Sequence, residues 1–176
     1  MRYKNLTRVL ALDLHPRRFG YVVVESPDKL LDWGVRSYRR KGGSTDALIR
    51  RLGSLLELWR PSVLVINGTR QISPRTKLLR ERFLKGAAAE AMNHRVCIRI
   101  LKRQPANEQA ARQPKYEGAL AVVQRFPVLA HRMSPKRKPW ESEHYSMSIF
   151  EALAGAMTTV VKRPNVRPES WPLPSK

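Results

Sequence analysis

The sequence predicts an α/β fold in which a mixed five-stranded sheet is flanked by helices. Two observations carry this. Three apolar runs of strand length follow one another near the N-terminus with only short breaks between them, and later strand-like runs alternate with segments of helical periodicity. Strands joined by tight turns pair antiparallel and strands separated by helices pair parallel, so one sheet must hold both kinds of pairing. A chain of 176 residues is the size of one domain. Residues 1–163 read as that domain, and 164–176 as a Pro-rich irregular tail.

Residues 8–14 and 19–25 form the first two predicted strands, joined by a short basic turn at Pro16-Arg17-Arg18. "LLDWGVRSY", beginning at Leu30, alternates well enough for a third. "RRKGGSTD" then breaks the pattern and offers Ser44 or Thr45 as a helix cap. Leu48, Leu52, Leu55, Leu56 and Trp59 recur at helical spacing, which predicts an amphipathic helix over 46–60 ended by Pro61. "SVLVING" is the short continuous apolar run of a strand buried on both faces. A helix follows with Ser73 as its cap and Pro74 as its first residue, and Gly86 is expected to kink it or end its first part. "VCIRIL" is a fifth strand, in which Cys97 reads as a small core residue. Residues 115–132 predict a helix interrupted near Phe126-Pro127, and 145–162 a last helix.

Charge bounds the function. The chain has 34 Lys+Arg against 14 Asp+Glu, a formal net charge of +20. Such self-repulsion does nothing for a fold and points to a polyanionic partner, nucleic acid before an anionic membrane surface. With one cysteine there is no intrachain disulfide and no cysteine-based zinc site. Neither a signal-peptide core nor a run of transmembrane length is present, so the cytoplasm is the expected compartment. Nine glycines and no phosphate-binding glycine loop argue against a nucleotide-dependent phosphotransferase.

Asp13 ends the first apolar run and stands next to two arginines. It reads either as a capping residue in a hairpin turn or as a carboxylate for a hard cation. "LALDLHPRRFGYVVVE" followed by "LLDWGV" resembles the opening of the RuvC-like Holliday-junction resolvases. "RPSVLVING" resembles their fourth strand, Lys115 to Leu129 their penultimate helix, and "SMSIFEALAGAMT" their final, acid-bearing helix. The element order also matches the ribonuclease H-like fold of that family. The resemblance implies a dimeric, Mg²⁺- or Mn²⁺-dependent endonuclease of branched DNA. It maps the family's first aspartate onto Asp13 and its last helical acid onto Glu151, the two implied metal ligands. Where the family has a glutamate at the end of the fourth strand this chain has Asn67, and one turn before Glu151 it has Ser148 in place of another acid. Glu143 and Glu141, just upstream of the final helix, are candidates to supply a missing carboxylate. The catalytic candidates are therefore Asp13, Glu151, Glu143 and Asn67.

Nucleic acid is expected along three basic peaks and the first turn: Arg17 and Arg18; Arg39 and Arg40 after the third strand; Arg70, Arg75, Lys77 and Arg80 around the start of the second helix; and Lys136, Arg137 and Lys138 before the acidic cluster. His15 and His144 read first as surface histidines and second as a base or ligand. Trp140 and Tyr145 read first as core aromatics and second as rings able to stack on an unpaired base. The leading reading is a structure-selective, metal-dependent endonuclease of branched DNA; the second is a non-catalytic descendant that binds DNA or RNA or serves as an assembly subunit. Asn67 and Ser148 favour the second.

Overall fold

The computed structural model describes residues 7–25, 28–38, 44–67, 74–101, 115–136, 138, 140 and 144–161. Along β1 (Arg8–His15) and β2 (Arg18–Glu25) nearly every side chain is buried, because each face of these central strands is covered by helices. They pair antiparallel from Arg8↔Glu25 to His15↔Arg18, a tight hairpin turned by Pro16 and Arg17. β3 (Lys29–Ser37) adds antiparallel to β2, with a register shift between Val23 and Val24. β4 (Val63–Asn67) pairs parallel with β1, and β5 (Cys97–Leu101) parallel with β4. The order is β3-β2-β1-β4-β5, the mixed five-stranded sheet that the sequence predicts.

One face carries α1 (Thr45–Trp59) and α2 (Pro74–Asn93). Leu10, Leu12, Phe19, Tyr21, Leu64 and Ile66 pack there against Leu48, Leu52, Leu56, Phe83 and Ala87. Ser44 holds the N-cap position in extended conformation but makes no side-chain cap bond, and its carbonyl accepts from Ala47 N–H at 3.0 Å. α1 ends as expected: Arg60 turns left-handed (φ 44°) ahead of Pro61. α2 runs unbroken through Gly86, where the missing Cβ admits the side chain of Ile49 from α1. The glycine serves helix packing there, and no kink results.

The other face carries α3 (Lys115–Arg125), a 3-10 helix (Pro127–Arg132) and α4 (Met147–Val161). Val9, Ala11, Val22, Val24, Val63 and Val65 meet Ile149, Phe150, Ala152, Leu153 and Ala156 of α4. α4 packs on β1, β2 and β4. The helix layer thus stops short of the entry to β5 at the sheet edge. Cys97 is exposed there, which corrects its reading as a core residue. No helix among the described residues is long and apolar enough to cross a membrane.

Two features brace the sheet. Tyr21 donates to Asp32 at 3.0 Å and accepts from Arg36 at 3.0 Å, while Trp59 Nε1 donates to Asp32 at 3.1 Å, tying β2, β3 and the end of α1 together. Burial, then the Asp32 charge, pushes the Tyr21 phenol from its ordinary 10.0 up to about 12. The second feature is the seat of α4 on β2. A Cβ on Gly20 would lie 2.4 Å from the backbone carbon of Ser148, so only glycine admits the helix at this distance.

Gly20→Ala is therefore expected to cost about 1–3 kcal/mol in urea unfolding, because Ser148 contributes backbone that cannot yield. Gly118→Ala, on an open stretch of α3 with nothing within 4 Å of the added Cβ, should instead stabilise by about 1 kcal/mol. Tyr21→Phe should cost about 1–2 kcal/mol at neutral pH by removing both bonds of the hydroxyl. Neutral Tyr21 contributes its full stability below pH 10 and loses it as pH rises toward about 12. The gap between wild type and Tyr21→Phe should therefore shrink over that interval in melts taken at successive pH values.

Candidate nucleic-acid interface and carboxylate site

The parallel pair β1 and β4 lies where the chain's connections diverge: β1 leads to β2 on one side, and β4 leads through α2 to β5 on the other. The carboxyl ends of such a pair open a crevice between the departing connections. Side chains alternate along a strand, so residues that share a parity with Val9 and Ala11 face α4. Asp13 and His15 follow that parity on β1, Gly20 on β2 and Asn67 on β4. The register pairs Asp13 with Gly20 and Leu12 with Ile66, which puts Asp13 and Asn67 side by side on the α4 face.

α4 closes the crevice from above. Ser148 sits on Gly20. One turn later Asn67 Nδ2 donates to the backbone carbonyl of Glu151 at 2.7 Å. A Cβ on Gly155 would lie 2.1 Å from Asn67 Oδ1, so the amide fits only because residue 155 has no side chain. Asp13 and Glu151, far apart in sequence, are thus brought to the same end of the sheet by Asn67, which bridges from β4 to α4. Asp13 Oδ2 is 2.9 Å from His15 Nε2, a pair two residues apart on one strand face. His15 is therefore engaged by the carboxylate rather than isolated on the surface.

These groups do not fit the carboxylate set of a two-ion site. Asn67 presents an N–H donor to a carbonyl where a ligand would have to present an oxygen to a cation. Ser148 is 3% exposed, and its hydroxyl donates to the Tyr145 carbonyl at 2.7 Å. Among the described residues no three His, Cys, Asp or Glu side chains gather as a metal would require. Among the described residues, Asp13 and Glu151 are the acids at this end. Glu143 and Glu141 lie outside the described residues.

Basic residues converge on the same end from three separate segments. Arg17 lies in the β1–β2 turn beyond Asp13, and Arg18 opens β2. Arg18 Nε is buried with no hydrogen-bond partner among the described residues. On α2 the Phe83 ring packs 5.9 Å from Phe19, at the crevice end of β2, so the preceding turns with Lys77 and Arg80 extend past the sheet. Arg80 is half-buried, and burial pulls its guanidinium pKa down without removing its charge. Arg75 lies in the first turn of α2. In the third segment Ser134 Oγ is 3.3 Å from Ser146 Oγ, which ties the stretch carrying Lys136 and Lys138 to the start of α4. Arg39, Arg40, Arg70 and Arg137 fall outside the described residues.

Trp140 is 79% and Tyr145 47% exposed, a correction to the reading of both as core aromatics. The α4 side of the core is built instead from Phe126, Phe150 and Met147. Gly20 and Gly155 were the positions that sequence reasoning passed over. Their signal was present, since a glycine inside a strand or helix often marks a close approach.

No protein-family model matches this chain, and no curated protein matches it. Solved structures do. Thermus thermophilus RuvC superposes with a TM-score of 0.63 at 17% identity, over 86% of this chain and 92% of that one. The mitochondrial Holliday-junction resolvase of yeast gives 0.54 at 14%, over 86% and 77%. The fowlpox virus resolvase in complex with Holliday-junction DNA gives 0.51 at 13%, over 89% and 100%. The chain therefore has the ribonuclease H-like fold of the RuvC-type Holliday-junction resolvases.

Proposed function

We propose that this protein binds branched DNA at the carboxyl ends of β1 and β4 as a structure-selective binding protein of the resolvase fold. The observation that carries the reading is the convergence there of Arg17 and Arg18, of Lys77 and Arg80, and of Lys136 and Lys138 in a chain of net charge +20. Phosphate contacts from separate elements hold a backbone in register without reading its sequence. T. thermophilus RuvC has also been solved in complex with a Holliday-junction substrate, and its similarity to this chain has a TM-score of 0.57 at 15% identity. Two copies of the chain about a two-fold axis would match the symmetry of a four-way junction, so a homodimer belongs to the proposal. RNA of the same branched shape is the competing ligand, since phosphate contacts alone do not distinguish it.

Metal-dependent endonuclease activity is the second reading. It is favoured by the retention of Asp13 and Glu151 at one end of the sheet, where Mg²⁺ or Mn²⁺ would be held by these two acids. The donor set favours binding over cleavage, because Asn67 and Ser148 direct their polar groups into the protein.

Labelled four-way, flap, duplex and single-stranded DNA, with a four-way RNA, are incubated with the protein in Mg²⁺ or Mn²⁺. Binding that prefers the four-way DNA, weakens linearly in log–log salt plots and leaves the strands intact is the expected result. Arg17→Ala or Lys77→Ala should each lower affinity for every DNA form and reduce the salt slope by about 1. Cleavage that Asp13→Asn abolishes would establish the nuclease reading instead. Asn67→Glu separates the two independently. Its carboxylate oxygen would face the Glu151 carbonyl, so a loss of about 1–3 kcal/mol with no added Mn²⁺ stabilisation in thermal melts is expected. A Mn²⁺-dependent rise in its melting temperature would favour the metal site.

A further inference from the structure

Exposed rings just before α4 are used neither by the core nor by the carboxylate site. Phe19, Tyr21, Phe83, Phe126 and Phe150 are at most 5% exposed, whereas Tyr145 and Trp140 face solvent. The rings of His144 and Tyr145 stack with centroids 4.4 Å apart and planes 39° from parallel. This pair is held from beneath. His144 Nδ1 is 2.7 Å from Ser146 Oγ, Ser146 is 1% exposed, and the Tyr145 carbonyl accepts from Ser148. Ser148 itself rests on Gly20, the partner of Asp13. A cation accompanies the second ring: Lys138 Nζ lies 5.8 Å from the Trp140 ring centroid.

Exposed rings with a lysine beside one of them suit a partner that offers both a flat apolar face and negative charge. A nucleobase on its phosphate backbone has both properties. A paired, stacked base has no free face. The base must come from a branch point or a single-stranded stretch.

We propose that the His144–Tyr145 stack, with Trp140 beside Lys138, is a platform for an unpaired nucleobase at the branch point of the bound DNA. Tyr145 contributes its ring face, Ser146 and Ser148 hold the platform rigid, and Lys136 and Lys138 take the adjoining phosphates. Phosphate contacts supply affinity for any DNA form, and the platform supplies the preference for branched over continuous duplex. This inference rests on the branched-DNA reading and explains how the same site selects structure.

The test places 2-aminopurine at the centre of a four-way junction and, separately, within a duplex of the same arms. Stacking on the wild-type protein should quench the junction probe and leave the duplex probe unchanged. Tyr145→Ala should abolish the quench and lower junction affinity by about 5- to 150-fold, with duplex affinity unaltered. Tyr145→Phe, which keeps the ring, should retain both. An unshifted melting temperature for each variant establishes that the fold is intact, as expected at an exposed position. If Tyr145→Ala and Trp140→Ala keep the quench and the preference, the platform is overturned while the branched-DNA reading stands. If the wild-type protein binds neither DNA, both are overturned.

Discussion

The geometry of this protein depends on how closely α4 can approach the sheet. A helix normally rests on a sheet through a layer of side chains about 10 Å deep. Here it comes down to the backbone at Gly20, where a single Cβ would collide with Ser148. At Gly155 the same economy admits the amide of Asn67. Between these two points α4 is pinned across β2, β1 and β4, and Glu151 is carried to the end of the sheet where Asp13 stands. A longer side chain at either glycine would lift the helix and separate the two acids.

The chemistry at that end follows from which groups the pinned helix consumes. Asn67 donates its N–H to the Glu151 carbonyl, a task that a carboxylate cannot perform because it has no proton to donate. Ser148 is likewise committed to the turn that precedes α4. Asn67 and Ser148 thus both serve the seat of the helix, with their polar groups turned into the protein. Among the described residues this end of the sheet also carries the positive charges of Arg17, Arg18, Lys77, Lys136 and Lys138. An arrangement of this kind attracts a polyanion.

Much of the fold was legible because its signals are local. Continuous apolar runs at β1, β2 and β4 mark strands buried on both faces, and the leucine spacing of α1 and the proline after it mark a helix and its end. Asp13 and Glu151 could be singled out as acids punctuating apolar stretches. What was not legible depends on distance in space. Cys97 looks apolar in its run, but its exposure follows from α4 ending its cover at β4. Trp140 and Tyr145 look like core residues in sequence, yet in the fold both rings face solvent. The role of Asn67 could not be inferred from its own neighbours, because its partners Glu151 and Gly155 lie more than eighty residues away. Gly86 shows the converse: read locally it breaks a helix, whereas in the fold it lets two helices touch.

Nucleic acid is proposed to meet the protein at the carboxyl ends of β1 and β4. Amide hydrogen exchange with and without a saturating four-way junction tests it directly, because it maps the footprint without assuming any residue's role. Protection confined to Arg17 and Arg18, the first turns of α2 and the stretch around Tyr145 is the predicted result. The opposite end of the molecule has its own cavity of about 410 Å³, lined by Arg60, His94 and Arg95. Protection centred there, with the β1–β2 turn unchanged, would contradict the account.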